Sequence, residues 1–132
     1  MSSTLVDSNV LIDPFDETSD WRDWSDAMVA RCARRGDLVN NQVVFAEVAA
    51  GFSSLDDVEE ALPAAFIKRE ALPWEAAFLA GRALVQYRRR GGTTPAPLPD
   101  FGAHAAVAGH TLLTLDARRY RYYFPTLRVI AP

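Results

Sequence analysis

The chain has 132 residues, 49% of them hydrophobic and 11% aromatic, which fits one domain with a real core and excludes a disordered chain or a disulfide mini-scaffold. Its single cysteine, Cys32, excludes an internal disulfide and any metal site built from several cysteines. The net charge of −3 conceals 13 acidic and 4 basic residues in 1–66 against 4 acidic and 10 basic in 67–132, which reads either as two solvated faces or as an acidic site beside a basic surface for a polyanion.

Thr4-Leu5-Val6 is an apolar run that stops at Asp7, with Val10-Leu11-Ile12 close behind, and reads as a buried strand entering a turn. Asp13–Asp20 reads as a loop. Trp21, Trp24, Met28, Val29, Cys32 and Ala33 recur at helical spacing, with Ser19 or Asp20 as cap and Gly36 as stop. Cys32 in that stripe reads as a buried, inert thiol. The two tryptophans read as core, or as a groove for a partner segment. Leu38-Val39 is a second strand. Val43–Phe52 reads as a helix opened by Asn40, Asn41 or Gln42, and Ser53-Ser54 caps a helix with the stripe Leu55, Val58, Leu62. A short strand lies within Ala65–Leu72. Pro73 suits a first helical position, and Trp74, Ala77, Phe78, Gly81, Leu84 and Val85 carry a longer helix to Arg88-Arg89-Arg90. Gly91–Pro99 is a loop inside the domain. Phe101–Gly109 reads as a short helix, and Thr111–Leu115 and Leu127–Ile130 as late strands. Strands alternating with helices imply an α/β sandwich with a mainly parallel sheet, one domain over 1–132.

In such sheets ligands bind outside the carboxyl ends of the strands. Asp7 ends the first strand and Asp116 a late one, so both point to one edge. Asp100 opens a helix, and Glu47 sits in the apolar segment Phe45-Ala46-Glu47-Val48-Ala49, where an acid needs solvent or a partner. Four carboxylates at one edge repel unless a cation lies among them, and hard divalent ions, Mg²⁺ or Mn²⁺, prefer oxygen ligands. Each acid also has a plainer reading. Asp100 is what an N-cap looks like, Asp116 a turn residue, Asp7 a cap for Val10–Ile12, and Glu47 one face of its helix.

Read together, the blocks resemble the PIN-domain family, and within it the VapC-type toxin ribonucleases of type II toxin–antitoxin systems. The blocks are Leu5-Val6-Asp7-Ser8-Asn9-Val10-Leu11-Ile12-Asp13, Val43-Val44-Phe45-Ala46-Glu47-Val48-Ala49-Ala50-Gly51-Phe52, Leu98-Pro99-Asp100-Phe101 with Gly102-Ala103-His104-Ala105, and Leu112-Leu113-Thr114-Leu115-Asp116. The closing Tyr123-Phe124-Pro125 and Leu127–Ile130 fit the same pattern, so the resemblance spans essentially the whole chain. It implies a PIN-like three-layer sandwich, a twisted and mostly parallel sheet flanked by helices. It also implies an Mg²⁺ or Mn²⁺ site at Asp7, Glu47, Asp100 and Asp116, supported by Asn9 and Thr114. The implied activity is hydrolysis of RNA, tRNA or rRNA by family analogy, and the implied partners are a cognate antitoxin and a second copy in a homodimer.

One departure stands out. Relative to the family pattern, two residues, an aromatic and an isoleucine, are missing between Phe101 and Gly102. Two residues amount to about 200° of helix rotation and about 3 Å of rise, so the gap points to an impaired module that still binds antitoxin or RNA as the alternative to an active nuclease. A phosphotransfer domain with Asp7 as nucleophile is a third reading, but Asn9 stands where a second acid is wanted.

Arg88, Arg89 and Arg90, with Arg118, Arg119 and Arg121, are candidate RNA-backbone contacts, and the interleaved Tyr120, Tyr122 and Tyr123 either stack on bases or pack on the core. His104 and His110 read as structural. No apolar run approaches the roughly 20 residues that span a bilayer, and Met1-Ser2-Ser3-Thr4 lacks the features of a signal peptide, so no membrane association and a cytoplasmic location are expected.

Overall fold

Thr4-Leu5-Val6, the first apolar run, becomes the central strand of the sheet. The structure is a computed structural model describing residues 3–92 and 100–132, with Asp100 and Phe101 described by backbone alone. In chain order the elements are β1 (Thr4–Val6), α1 (Ser8–Ile12), a 3-10 turn (Asp13–Phe15), α2 (Arg22–Arg35), β2 (Leu38–Asn40), α3 (Gln42–Ala49), α4 (Leu55–Ala61), β3 (Ile67–Arg69), α5 (Trp74–Arg89), α6 (Asp100–Ala108), β4 (Thr111–Leu113), α7 (Ala117–Tyr123) and β5 (Val129–Ile130).

The strands pair in the order β3-β2-β1-β4-β5, every pair parallel. Leu5, Val6, Leu112 and Leu113 have no solvent exposure, as expected where parallel strands are covered on both faces. Each such side chain contributes roughly 1.5–3 kcal/mol on burial. The chain leaves β1 toward β2 and β3, then returns over the sheet to β4 on β1's other side. Right-handed crossovers in opposite directions put helices on both faces. They also make the gap between β1 and β4 a topological switch point, the place where such sheets bind ligands.

Several caps follow the sequence. Asn41 Oδ1 accepts from Val44 N at 3.0 Å and Ser54 Oγ from Asp57 N at 3.2 Å, each removing an orphan donor of a helix start. Cys32 is buried.

Other expectations are corrected. The turn expected after the first strand is the short helix α1, which begins at Ser8 directly after its N-cap Asp7. Pro73 is the N-cap of α5 rather than its first helical residue. That helix buries Ala76, Ala80 and Ala83, while Trp74 is 91% and Phe78 68% exposed. The alanine stripe lets α5 approach α6 closely, where Ala103 and Ala105 are also fully buried. Helix α7 has no counterpart among the expected elements. The Gly91–Pro99 loop lies outside the described residues from 93 onward.

Around Gly102, where the family pattern implied a gap, the chain is uninterrupted helix, α6 running from Asp100 to Ala108. A Cβ on Gly102 would stand 2.7 Å from Tyr120 Cδ1 and 2.7 Å from Phe124 Cδ2. Glycine is what lets α6 and α7 meet here.

Candidate metal and nucleic-acid site

Asp7 is the first residue past the central strand, at the switch point, and is 4% exposed. Its backbone N–H donates to Leu113 O at 2.9 Å, tying the carboxyl end of β1 to β4. Its carboxylate is oriented through one oxygen. Oδ2 accepts from Thr114 Oγ1 at 2.7 Å and from the Tyr120 hydroxyl at 3.2 Å. Oδ1 has a longer bond from Ser8 Oγ, 3.3 Å. Burial pushes the Asp7 carboxyl above the usual carboxylate range, and the bonds from Thr114, Tyr120, Asn9 and Ser8 offset this only in part. Burial and the nearby Asp7 charge push the Tyr120 phenol well up, so it stays a donor. A buried acid held with one oxygen pinned and kept from its preferred ionisation is poised for a cation.

Asn9, on α1, reaches the same cluster. Its Oδ1 accepts from Leu115 N at 3.2 Å, and its Nδ2 lies 3.5 Å from Thr114 Oγ1. Thr114 Oγ1 also accepts from Asp116 N at 3.1 Å. Asn9 and Thr114 thus hold the turn that carries Asp116. The Asp116 side chain is 54% exposed, with Arg119 at 3.8 Å, a contact that adds little in solvent. Glu47 lies on the exposed side of α3, which packs on α1. The Asp100 side chain lies outside the described residues. The structure therefore joins Asp7, Asn9, Thr114 and the Asp116 backbone in one hydrogen-bonded network, with Glu47 on the neighbouring helix. All the acids offer oxygen, the donor type that suits Mg²⁺ or Mn²⁺.

Of the two readings given to Tyr120, burial bears out packing on the core over stacking on bases, and its hydroxyl bond to Asp7 is what sequence reasoning did not foresee. The signal was Gly102, whose missing Cβ admits the Tyr120 ring.

A second cluster was also unforeseen. Among the described residues, the ligand-type atoms that converge within 4.8 Å as a group are those of Glu70, His104 and His110. Glu70 Oε1 lies 2.9 Å from His104 Nε2 and 2.8 Å from His110 Nε2. Asn41 Oδ1 is occupied by Val44 N, so its amide Nδ2 faces His104 Nδ1 at 3.0 Å. His104 Nδ1 must then accept, which puts the ring proton on Nε2, donating to Glu70. An ion at Nε2 would need that nitrogen bare. The cluster is a hydrogen-bonded junction joining β3, α6 and the approach to β4, with His110 also bonded to Ser3. Burial raises the Glu70 carboxyl, but the hydrogen bonds from His110 and His104 outweigh it and hold the group below its usual range.

Arg90 at the end of α5 lies over the Tyr122 ring of α7 at 3.9 Å, so the end of α5 that carries Arg88-Arg89-Arg90 touches the helix that carries Arg118, Arg119 and Arg121.

No protein-family model matches the chain, and no curated protein matches it. Solved structures do. VapBC2 from Rickettsia felis, bound to a DNA fragment from its promoter, matches over 98% of this chain and 98% of its own, with TM-score 0.73 and 13% identity. FitAcB from Neisseria gonorrhoeae matches over 98% and 97%, with TM-score 0.71 and 15% identity. VapBC-1 from nontypeable Haemophilus influenzae matches over 98% and 97%, with TM-score 0.72 and 14% identity. The chain has the PIN-like fold. The all-parallel order β3-β2-β1-β4-β5 and the helices that flank it are that fold's frame. No helix among the described residues is long and apolar enough to cross a membrane.

Proposed function

We propose that the chain is a metal-dependent endoribonuclease acting as the toxin of a toxin–antitoxin pair, hydrolysing RNA phosphodiesters with an activated water. The observation that carries this reading is Asp7, buried at the switch point with Oδ2 fixed by Thr114 and Tyr120. Magnesium, or manganese, would be held by Asp7, Glu47, Asp100 and Asp116, with Asn9 and Thr114 in support. Such an ion, when bound, lowers the pKa of a water and offsets charge on the scissile phosphate. The chain's own part is positioning. Thr114 and Tyr120 fix the Asp7 carboxylate, and Asn9 holds the Leu115-Asp116 turn against it.

The basic region around Arg90 and Tyr122 supports a polyanion running beside that site, with tRNA or rRNA as the class of substrate. The likeness to VapBC and FitAcB structures supports a cognate antitoxin as partner. The exposed Trp74 and Phe78 of α5 support a homodimer. The location that goes with these partners is the cytoplasm. The shortened connection before Gly102 favours a second reading, a catalytically impaired module that binds antitoxin or RNA.

The test is cleavage of total cellular RNA by the purified, partner-free protein, with Mg²⁺ or Mn²⁺, with chelator, and with Asp7→Asn. Discrete products that need both metal and Asp7 bear the nuclease out. Absence of cleavage by a folded, metal-binding protein moves the assignment to the binding module.

A further inference from the structure

A cavity of about 350 Å³ opens at the carboxyl ends of β2 and β3, lined by Asn40, Gln42, Phe45, Leu55, Arg69 and Ala71 among others. It is on the same edge of the sheet as Asp7. Asn40 ends β2 and pairs with Arg69 on β3, and β2 is the direct neighbour of β1, at a spacing of about 4.8 Å per strand.

Two features of this cavity point to a ligand. Asn40 is 2% exposed, and its Oδ1 is buried with no hydrogen-bond partner among the described residues. Buried acceptors are normally satisfied, and one left bare calls for a donor. The wall also carries a layered π surface. The Arg69 guanidinium lies over the Phe45 ring at 4.9 Å and is tied by Glu59 at 2.5 Å. Aromatic faces and guanidinium planes are the surfaces on which unpaired bases stack. An acceptor beside a stacking wall suits a flat heterocycle with an N–H edge.

We propose that this cavity takes one unpaired RNA base, stacked against Phe45 and Arg69 and donating an N–H to Asn40 Oδ1. This rests on the nuclease reading for its substrate class, and it makes the cavity a specificity subsite beside the cleavage edge.

The experiment titrates the full chain, in chelator, with each of the four ribonucleoside 5′-monophosphates and with ribose 5-phosphate as the control for phosphate alone. At least one nucleotide is expected to bind about tenfold more tightly than ribose 5-phosphate, the scale of one base–aromatic stack. Asn40→Leu removes the acceptor, and Leu55→Trp fills the mouth from an exposed helix position without touching the buried polar group. Both should lose about tenfold in that binding, while Asp7→Asn keeps it. No nucleotide bound more tightly than ribose 5-phosphate, or equal binding in wild type and Leu55→Trp, overturns the proposal. The two readings fail separately. Base binding without metal-dependent cleavage sinks the nuclease, and cleavage with unchanged site preference in Leu55→Trp sinks the subsite.

Discussion

Tyr120 donates its phenolic hydrogen to Asp7 Oδ2 at 3.2 Å, across 113 residues of sequence. The bond exists because Gly102 leaves room for the Tyr120 ring between α6 and α7. Tyr120→Phe keeps the ring and removes only the donor. Outer-shell partners of a metal ligand are commonly worth 10–100-fold in metal affinity or activity. Tyr120→Phe is therefore expected to cut metal-dependent cleavage by about tenfold or more, with little change in thermal stability. Full activity in a folded Tyr120→Phe protein would remove Tyr120 from the site.

Asp7→Asn is expected to abolish cleavage and, without metal, to stabilise the fold at neutral pH. The sign follows from burial. The folded carboxyl titrates above its unfolded value, so the native state holds the proton more tightly, and ionisation weakens the fold as pH rises through that range. Asparagine carries no charge to desolvate. A gain on the order of 1 kcal/mol in a domain of this size corresponds to about 3–6 °C in Tm. The advantage should narrow as pH falls through the folded value toward the unfolded one, below which Asp7 is protonated in both states. Melting curves of both proteins from pH 4 to 8 in chelator check this. A lower Tm for Asp7→Asn at every pH contradicts it.

Gly102→Ala places a methyl 2.7 Å from both the Tyr120 and the Phe124 rings. Overpacking of this kind costs about 1–3 kcal/mol, read as a lower denaturation midpoint. Because the displaced ring is Tyr120, cleavage should fall further than in Tyr120→Phe. A variant as stable as wild type would mean that α6 and α7 part without penalty.

Glu70 carries two histidine donors, one of them, His104, fully buried. Glu70→Ala strands that donor and is expected to cost about 1–3 kcal/mol. Glu70→Gln keeps an acceptor oxygen and should cost less. The Glu70 carboxyl is held below its usual range, so its contribution is present at neutral pH and lost as pH falls through the folded value. The gap between wild type and Glu70→Gln should therefore narrow in acid, as urea unfolding at pH 7 and pH 4 would show.

Asp7 was legible because it directly follows the apolar run that forms β1. Asp116 follows the run Thr111–Leu115, of which only Thr111–Leu113 is strand, and Asn9 and Thr114 came with the acids through the family pattern. Tyr120 was not legible. In Ala117–Tyr123 the tyrosines at 120, 122 and 123 make no single stripe, and the choice among them is made by a glycine on another helix. Helix α5 misled for a related reason. It carries two stripes, Trp74 with Phe78 and Ala76 with Ala80 and Ala83, and bulk alone favours burying the first. The close approach of α6 decides for the alanines, since interiors pack without gaps. The Glu70–His104–His110 junction had no local signal, as its members come from three separate elements. The plain reading of both histidines as structural agrees with the bonds they make.

The central position of β1 sets an order of events during synthesis. Asp7 is among the first residues made, yet the hydroxyls that orient it belong to Thr114 and Tyr120, and β1 pairs with β4 on one side. A nascent chain that has emerged only through α5 can present the acid but not the geometry around it. Contacts this distant in sequence close late, after much of the loop entropy has been spent. The geometry around Asp7 therefore forms only once synthesis has passed Tyr120, whatever chemistry the completed site performs.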